Sequence, residues 1–269
     1  MPTPEGYNRN MESSSAKSCQ PPEVLRATRV WGGDWLLSGL IGIGVTVALM
    51  LHAGLGALLL IGYAAIWAAL GAALVITTRP EALAPGHRGP GPANRVTLLR
   101  AAFTAPLGSL AFVAPGTGEP LLAFWVIGLA GLALLLDGVD GAIARSTGNT
   151  TAFGARFDME LDAAMILALS VLTWQMTVVG PWVILIGLMR YAFMLAACPW
   201  AWLAGDLPPS RRRQTVCVVQ TVVLLLVLIP GLPAFAAITI ALAGLLALSL
   251  SFAVDIHWLY RHRPEVCHD

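Results

Sequence analysis

Eight apolar runs, each near the ~20 residues that carry a helix across a bilayer, constrain this chain more than any other feature. They fall at about 35–52, 56–78, 95–114, 120–142, 153–178, 181–200, 214–230 and 233–257. In hydrocarbon a backbone must satisfy its own hydrogen bonds, which leaves helices or a closed barrel. Runs this long read as helix rather than strand. The expected fold class is therefore an all-α polytopic membrane protein with about eight spans. Composition agrees: the chain is 57% hydrophobic and 12% charged, roughly half the charge of a soluble domain. A net charge of +1 points to no partner, and no nucleic-acid partner is expected.

The loops alternate in sign. One set carries Lys17, Arg26 and Arg29, then Arg79, Arg88 and Arg95, then Arg145 and Arg156, then Arg211, Arg212 and Arg213, then Arg261 and Arg263. The other set, "HAGLG", "APGTGEP", "VVGP" and "PGLP", has no Lys or Arg. The positive-inside rule then puts both termini on the cytoplasmic side, and a cell inner (plasma) membrane is expected. Five segments follow: a polar tail over 1–34, two spans over 35–78, a Pro/Gly-rich linker over 79–93, six spans over 94–257 and a tail over 258–269. "EVLRATRVWGGDW" reads either as a short interfacial helix or as a loose juxtamembrane tail. The two leading spans carry no evident catalytic group and read as scaffold. The four cysteines fit neither a zinc site nor a disulfide framework.

One stretch breaks the pattern. "LDGVDGAIARSTGNTTAFGARFDMELDAAM" sets Asp137, Asp140, Asp158 and Asp162, with Glu160, between lipid-soluble helices. Unpaired acids cost several kcal/mol in hydrocarbon. Asp137, Asp140, Gly141, Ala144 and Arg145 share one face of the fourth span at 100° per residue. Gly154, Asp158 and Asp162 stack on one face of the fifth, and "STGNTT" makes the two spans antiparallel neighbours. Four carboxylates thus converge from two helices. Like charges that close need cations between them, and an oxygen-only donor set suits Mg²⁺, Mn²⁺ or Ca²⁺. Four acids suffice for two ions, an arrangement suited to phosphoryl-type displacement. The small residues let helices or a ligand approach closely, and Arg145 can pair with phosphate oxygens.

This string resembles the signature of the CDP-alcohol phosphotransferase family, also called CDP-alcohol phosphatidyltransferases, at every fixed position. The resemblance implies a six-helix core over about 94–257, with the two leading spans added to it. It implies transfer of a substituted phosphate from a CDP-linked donor to an alcohol, with release of CMP, in phospholipid biosynthesis. Asp137, Asp140, Asp158 and Asp162 look like ligands for Mg²⁺ or Mn²⁺, with Asp162 also the general base. Gly141, Ala144, Arg145 and Gly154 would hold the CDP moiety. A homodimer is implied as well. CDP-diacylglycerol is the expected donor, because a lipid-embedded site receives its tails laterally. A CDP-amino alcohol donating to diacylglycerol, and hydrolysis, are the alternatives within this chemistry. A divalent-cation transporter is the alternative outside it.

Three further polar features read two ways each. Asn94, Thr97 and Arg100 open the third span, either facing the donor nucleotide, as in the family, or as a polar cap with a snorkelling arginine. Arg190 lies deep in the sixth span, where an ionisable residue is a functional hypothesis by default. It reads as a partner for acidic groups of the Asp cluster or an acceptor-phosphate ligand, or as a purely structural ion pair. Arg211, Arg212 and Arg213 read as acceptor-binding or as topology-setting. His257 and Asp255 read as a polar end to the last span.

Overall fold

The computed structural model describes residues 21–77, 92–113, 119–147, 152–205, 207–208 and 210–262, with side chains at 21–31, 74–77, 92–94, 140–147, 152–156 and 201 outside the description. Among the described residues eight α-helices follow one another: α1 Pro21–Ala53, α2 Leu58–Thr77, α3 Pro92–Val113, α4 Pro120–Thr147, α5 Ala152–Met176, α6 Ile184–Ala196, α7 Arg211–Val227 and α8 Ala234–Arg261. Two 3₁₀ turns, Pro181–Val183 and Ala201–Ala204, flank α6. Among the described residues there is no strand.

Among the described residues, four stretches are long and apolar enough to cross a bilayer unaided: Gly32–Ala53, Arg95–Val113, Pro120–Val139 and Ala234–Arg261. Leu58–Ala73 and Pro181–Ala196 are shorter apolar helices. The bundle turns apolar side chains outward, among them Leu40, Ile61, Phe112, Phe235 and Leu250. It keeps Arg100, Thr104, Gln220 and Asp255 inside. A soluble bundle would do the reverse, and the chain is an integral membrane protein.

The helices depart from the expected spans at their ends. α1 is one helix from Pro21, where either a separate interfacial helix or a loose tail was expected. Its 33 residues reach ~50 Å, well beyond the hydrocarbon thickness. α4 likewise runs on to Thr147, past the apolar run that ends near 142. α6 is only 13 residues long, because the expected span opens in the 3₁₀ turn Pro181–Val183 and the helix ends at Ala196.

α3 is the central helix. It packs against α1, α2, α4 and α5. Two thirds of its apolar stretch is buried, against a third or less in the other three spanning stretches. α5 continues the core toward α6 and α7, and α7 packs on α8. Close approach depends on small residues. A Cβ at Gly187 of α6 would stand 2.5 Å from the Cα of Leu167 on α5, so no larger residue fits that crossing. Side-chain amides reach across helices: Gln175 Nε2 donates to Ala111 O at 2.9 Å and Gln220 Nε2 to Gly244 O at 3.0 Å. The tight link between α1 and α2 turns at Gly54, whose φ of +62° is a conformation glycine takes without strain.

Candidate active site

An arginine at 1% exposure inside an apolar bundle needs acidic partners. Arg100, two turns into α3, has three. Nη1 lies 2.9 Å from Asp137 Oδ1 on α4. Nη1 also donates to Asp158 Oδ1, and Nη2 to Asp162 Oδ1, on α5. Asp158 and Asp162 are four residues apart, so the helix stacks them on one face. Only four residues separate α4 from α5, and Asp137 of α4 lies opposite them.

The carboxylates form one group: an oxygen from each of Asp137, Asp158 and Asp162 lies within 4.8 Å of the others. Their side chains are 19–32% exposed, so the group opens to one side. One guanidinium cannot neutralise three carboxylates, and the remaining negative charge attracts cations. All donors are hard oxygens, the set that Mg²⁺ or Mn²⁺ prefers. The residues therefore fit a divalent ion, as the acid spacing implied.

Cys217 of α7 closes the far edge. Its Sγ stands 3.9 Å from Asp162 Oδ2, while Arg100 Nη2 donates to Oδ1 of the same carboxylate. Thr97, one turn before Arg100, is buried on α3. Of the remaining expected site residues, Asp140, Gly141, Ala144 and Arg145 lie on α4, Gly154 on α5 and Asn94 on α3. Their side-chain positions lie outside the described residues.

Among the described residues, Arg190, Arg212 and Arg213 pair with groups other than these three acids. Arg190 Nη2 donates to Glu160 Oε1 at 2.5 Å, and both side chains are substantially exposed. Arg212 is tied down: Nη2 pairs with Asp255 Oδ1 at 2.5 Å, and Nη1 donates to Ser251 O at 2.6 Å. Arg213 lies 3.6 Å from the same Asp255 carboxylate and donates to Pro208 O. Arg211 is exposed. Asp255, read from sequence as a polar helix end, is instead a buried anchor for α7.

Sequence reasoning assigned Arg100 toward the donor and did not foresee it as the shared partner of three acids. The signal was present, since an arginine six residues into an apolar run demands a counter-charge. Cys217 carried no such signal.

A family model described as CDP-alcohol phosphatidyltransferase matches residues 92–252, more than half of the chain. The match runs from α3 into α8 and leaves α1 and α2 outside. No curated protein and no solved structure matches the chain significantly.

Proposed function

The chain belongs to the CDP-alcohol phosphatidyltransferase family, whose members carry out phosphatidyl or phosphoalkyl transfer in phospholipid synthesis, and from that premise we propose that it moves the phosphatidyl group of CDP-diacylglycerol to an alcohol with release of CMP. The observation that carries the reading is the meeting of Asp137, Asp158 and Asp162 within 4.8 Å, inside the matched region. An outward apolar surface supports a donor whose tails arrive from the bilayer.

Asp137, Asp140, Asp158 and Asp162 would hold two divalent ions, Mg²⁺ or Mn²⁺. Bound there, the ions supply charge stabilisation for the transferring phosphate and the leaving CMP. Asp162 takes the proton of the acceptor hydroxyl. The hydroxyl oxygen then attacks the donor's β-phosphorus. The bond from that phosphorus to the bridging oxygen breaks, and CMP leaves with the electron pair. Arg100 holds the carboxylates in place against their mutual repulsion. Asn94, Thr97, Gly141, Ala144, Arg145 and Gly154 cradle the CDP moiety. Arg190 and Arg211 receive a phosphorylated acceptor at the rim, with Arg212 and Arg213 behind them.

The proposed layout has two added spans over 35–78 and a six-helix catalytic unit over 94–257, flanked by polar segments. Eight spans put both termini and the site on the cytoplasmic side of the cell membrane, and the chain works as a homodimer. The test is CMP release by the purified protein in nanodiscs, with CDP-diacylglycerol, Mn²⁺ or Mg²⁺ and a panel of alcohols. Acceptor-dependent CMP supports the transferase. CMP and phosphatidate without acceptor would mark a hydrolase, and turnover of CDP-choline with diacylglycerol would reverse the donor assignment.

A further inference from the structure

α3 is held from behind at two points by the helices that lie outside the family match. Arg100 faces α4 and α5. At 100° per residue, Arg95 and Ser109 lie ~140° and ~180° around α3 from it, on the side that packs against α1 and α2. At the first point, Arg95 Nε pairs with Asp34 Oδ2 of α1 at 3.0 Å. At the second, Ser109 Oγ donates to Leu59 O of α2 at 2.7 Å. Gly62 of α2 sits against the same serine: a Cβ there would overlap Ser109 Oγ and stand 3.3 Å from its Cβ. Fourteen residues separate Arg95 from Ser109, ~21 Å along the helix, and Arg100 lies between them.

α1 and α2 are themselves tied together. Tyr63 Oη donates to Gly39 O at 2.8 Å, and Trp35 stacks on Trp67 with ring centroids 4.2 Å apart. A paired unit attached at two distant points fixes both the tilt and the axial position of α3.

We propose that α1 and α2 are a positioning element for the transfer reaction: they set where Arg100 stands among Asp137, Asp158 and Asp162. The claim rests on the transferase reading above but assigns these two helices a part that reading does not. Neither helix contributes a group to the reacting atoms. Their effect passes through α3, and it should appear in turnover and metal binding rather than in donor affinity.

The experiment uses the full chain in nanodiscs, with CMP release and Mn²⁺ affinity as separate readouts. Gly62→Leu wedges α2 away from Ser109. It is expected to lower kcat about tenfold with donor KM within about twofold, and to weaken Mn²⁺ binding at least fivefold by the same displacement. Asp34→Arg is expected to lower kcat two- to fivefold, in line with a partly exposed pair. Adding Arg95→Asp to it restores most of the loss. A folded Gly62→Leu variant with wild-type kcat and Mn²⁺ affinity overturns the proposal. So does a charge-reversed pair no better than Asp34→Arg alone. Should Gly62→Leu fail to fold, the charge-reversal series decides. Absence of CMP release from the wild type counts against the transferase reading instead, and Mn²⁺ affinity then tests the positioning claim by itself.

Discussion

Nη1 of Arg100 stands 2.9 Å from Oδ1 of Asp137, and the same guanidinium engages Asp158 and Asp162. One buried cation on α3 therefore ties α4 to α5 at the end of the bundle where the carboxylates gather. Removing it leaves three close acids without their common partner. Arg100→Ala is expected to abolish CMP release and to cost ~3 kcal/mol of stability, the scale of breaking a buried pair. Arg100→Lys should recover stability only in part, because a single ammonium cannot fork to three carboxylates. Unfolding midpoints in detergent, beside turnover, check both.

Chelation should act on the same group. EDTA is expected to stop CMP release, and Mn²⁺ or Mg²⁺ to restore it. Ions bound to the folded site also stabilise it, by ~2.7 kcal/mol at a hundredfold excess over Kd. Wild-type Tm should therefore rise with Mn²⁺, while that of Asp158→Asn stays flat. Thermal scans across a Mn²⁺ series measure this.

Arg190 and Glu160 form a partly exposed pair at 2.5 Å, worth ~0–1 kcal/mol. Arg190→Gln should therefore leave Tm within a degree or two. If Arg190 receives the acceptor, the variant raises KM for phosphorylated alcohols about tenfold or more and leaves KM for unphosphorylated ones unchanged. Equal effects on both classes would assign the residue to structure.

Asp255 holds Arg212 at 2.5 Å and lies near Arg213, from a buried position on α8. Asp255→Asn removes the charge and keeps the shape. The expected loss is ~1–3 kcal/mol, the range for a charge-assisted hydrogen bond, read as a lower Tm. Arg211→Gln, at an exposed position, should not move Tm.

Local spacing made much of this protein legible. The i, i+4 step from Asp158 to Asp162 and the turn-rich link back to Asp137 place three acids together by helix geometry alone. The apolar runs give the helices, and the family resemblance follows from the acids and their small neighbours. Apart from the reading of Arg190 toward the acidic stretch, the tertiary partners of the arginines were not legible. Arg100 meets acids 37–62 residues away, Arg190 meets Glu160 across 30, and Arg212 meets Asp255 across 43. No periodicity encodes which helices become neighbours. Helix ends were also hidden, because Gly32, Gly33 and Asp34 interrupt the apolar run without interrupting the backbone hydrogen bonds of α1. The attachment of α1 and α2 to the back of α3 depends on one glycine, one serine and one ion pair, none of which forms a motif.

The most direct test of the central claim sets wild type beside Asp158→Asn in nanodiscs containing CDP-diacylglycerol, Mn²⁺ and an alcohol panel, with CMP as the readout. The wild type is expected to release CMP only when both a divalent ion and an alcohol are present. Asp158→Asn, folded and equally abundant, is expected to fall by about a thousandfold or more, the scale of losing a group central to catalysis. Turnover by Asp158→Asn within about threefold of wild type would contradict the account, as would cation flux through a wild type that turns over no nucleotide.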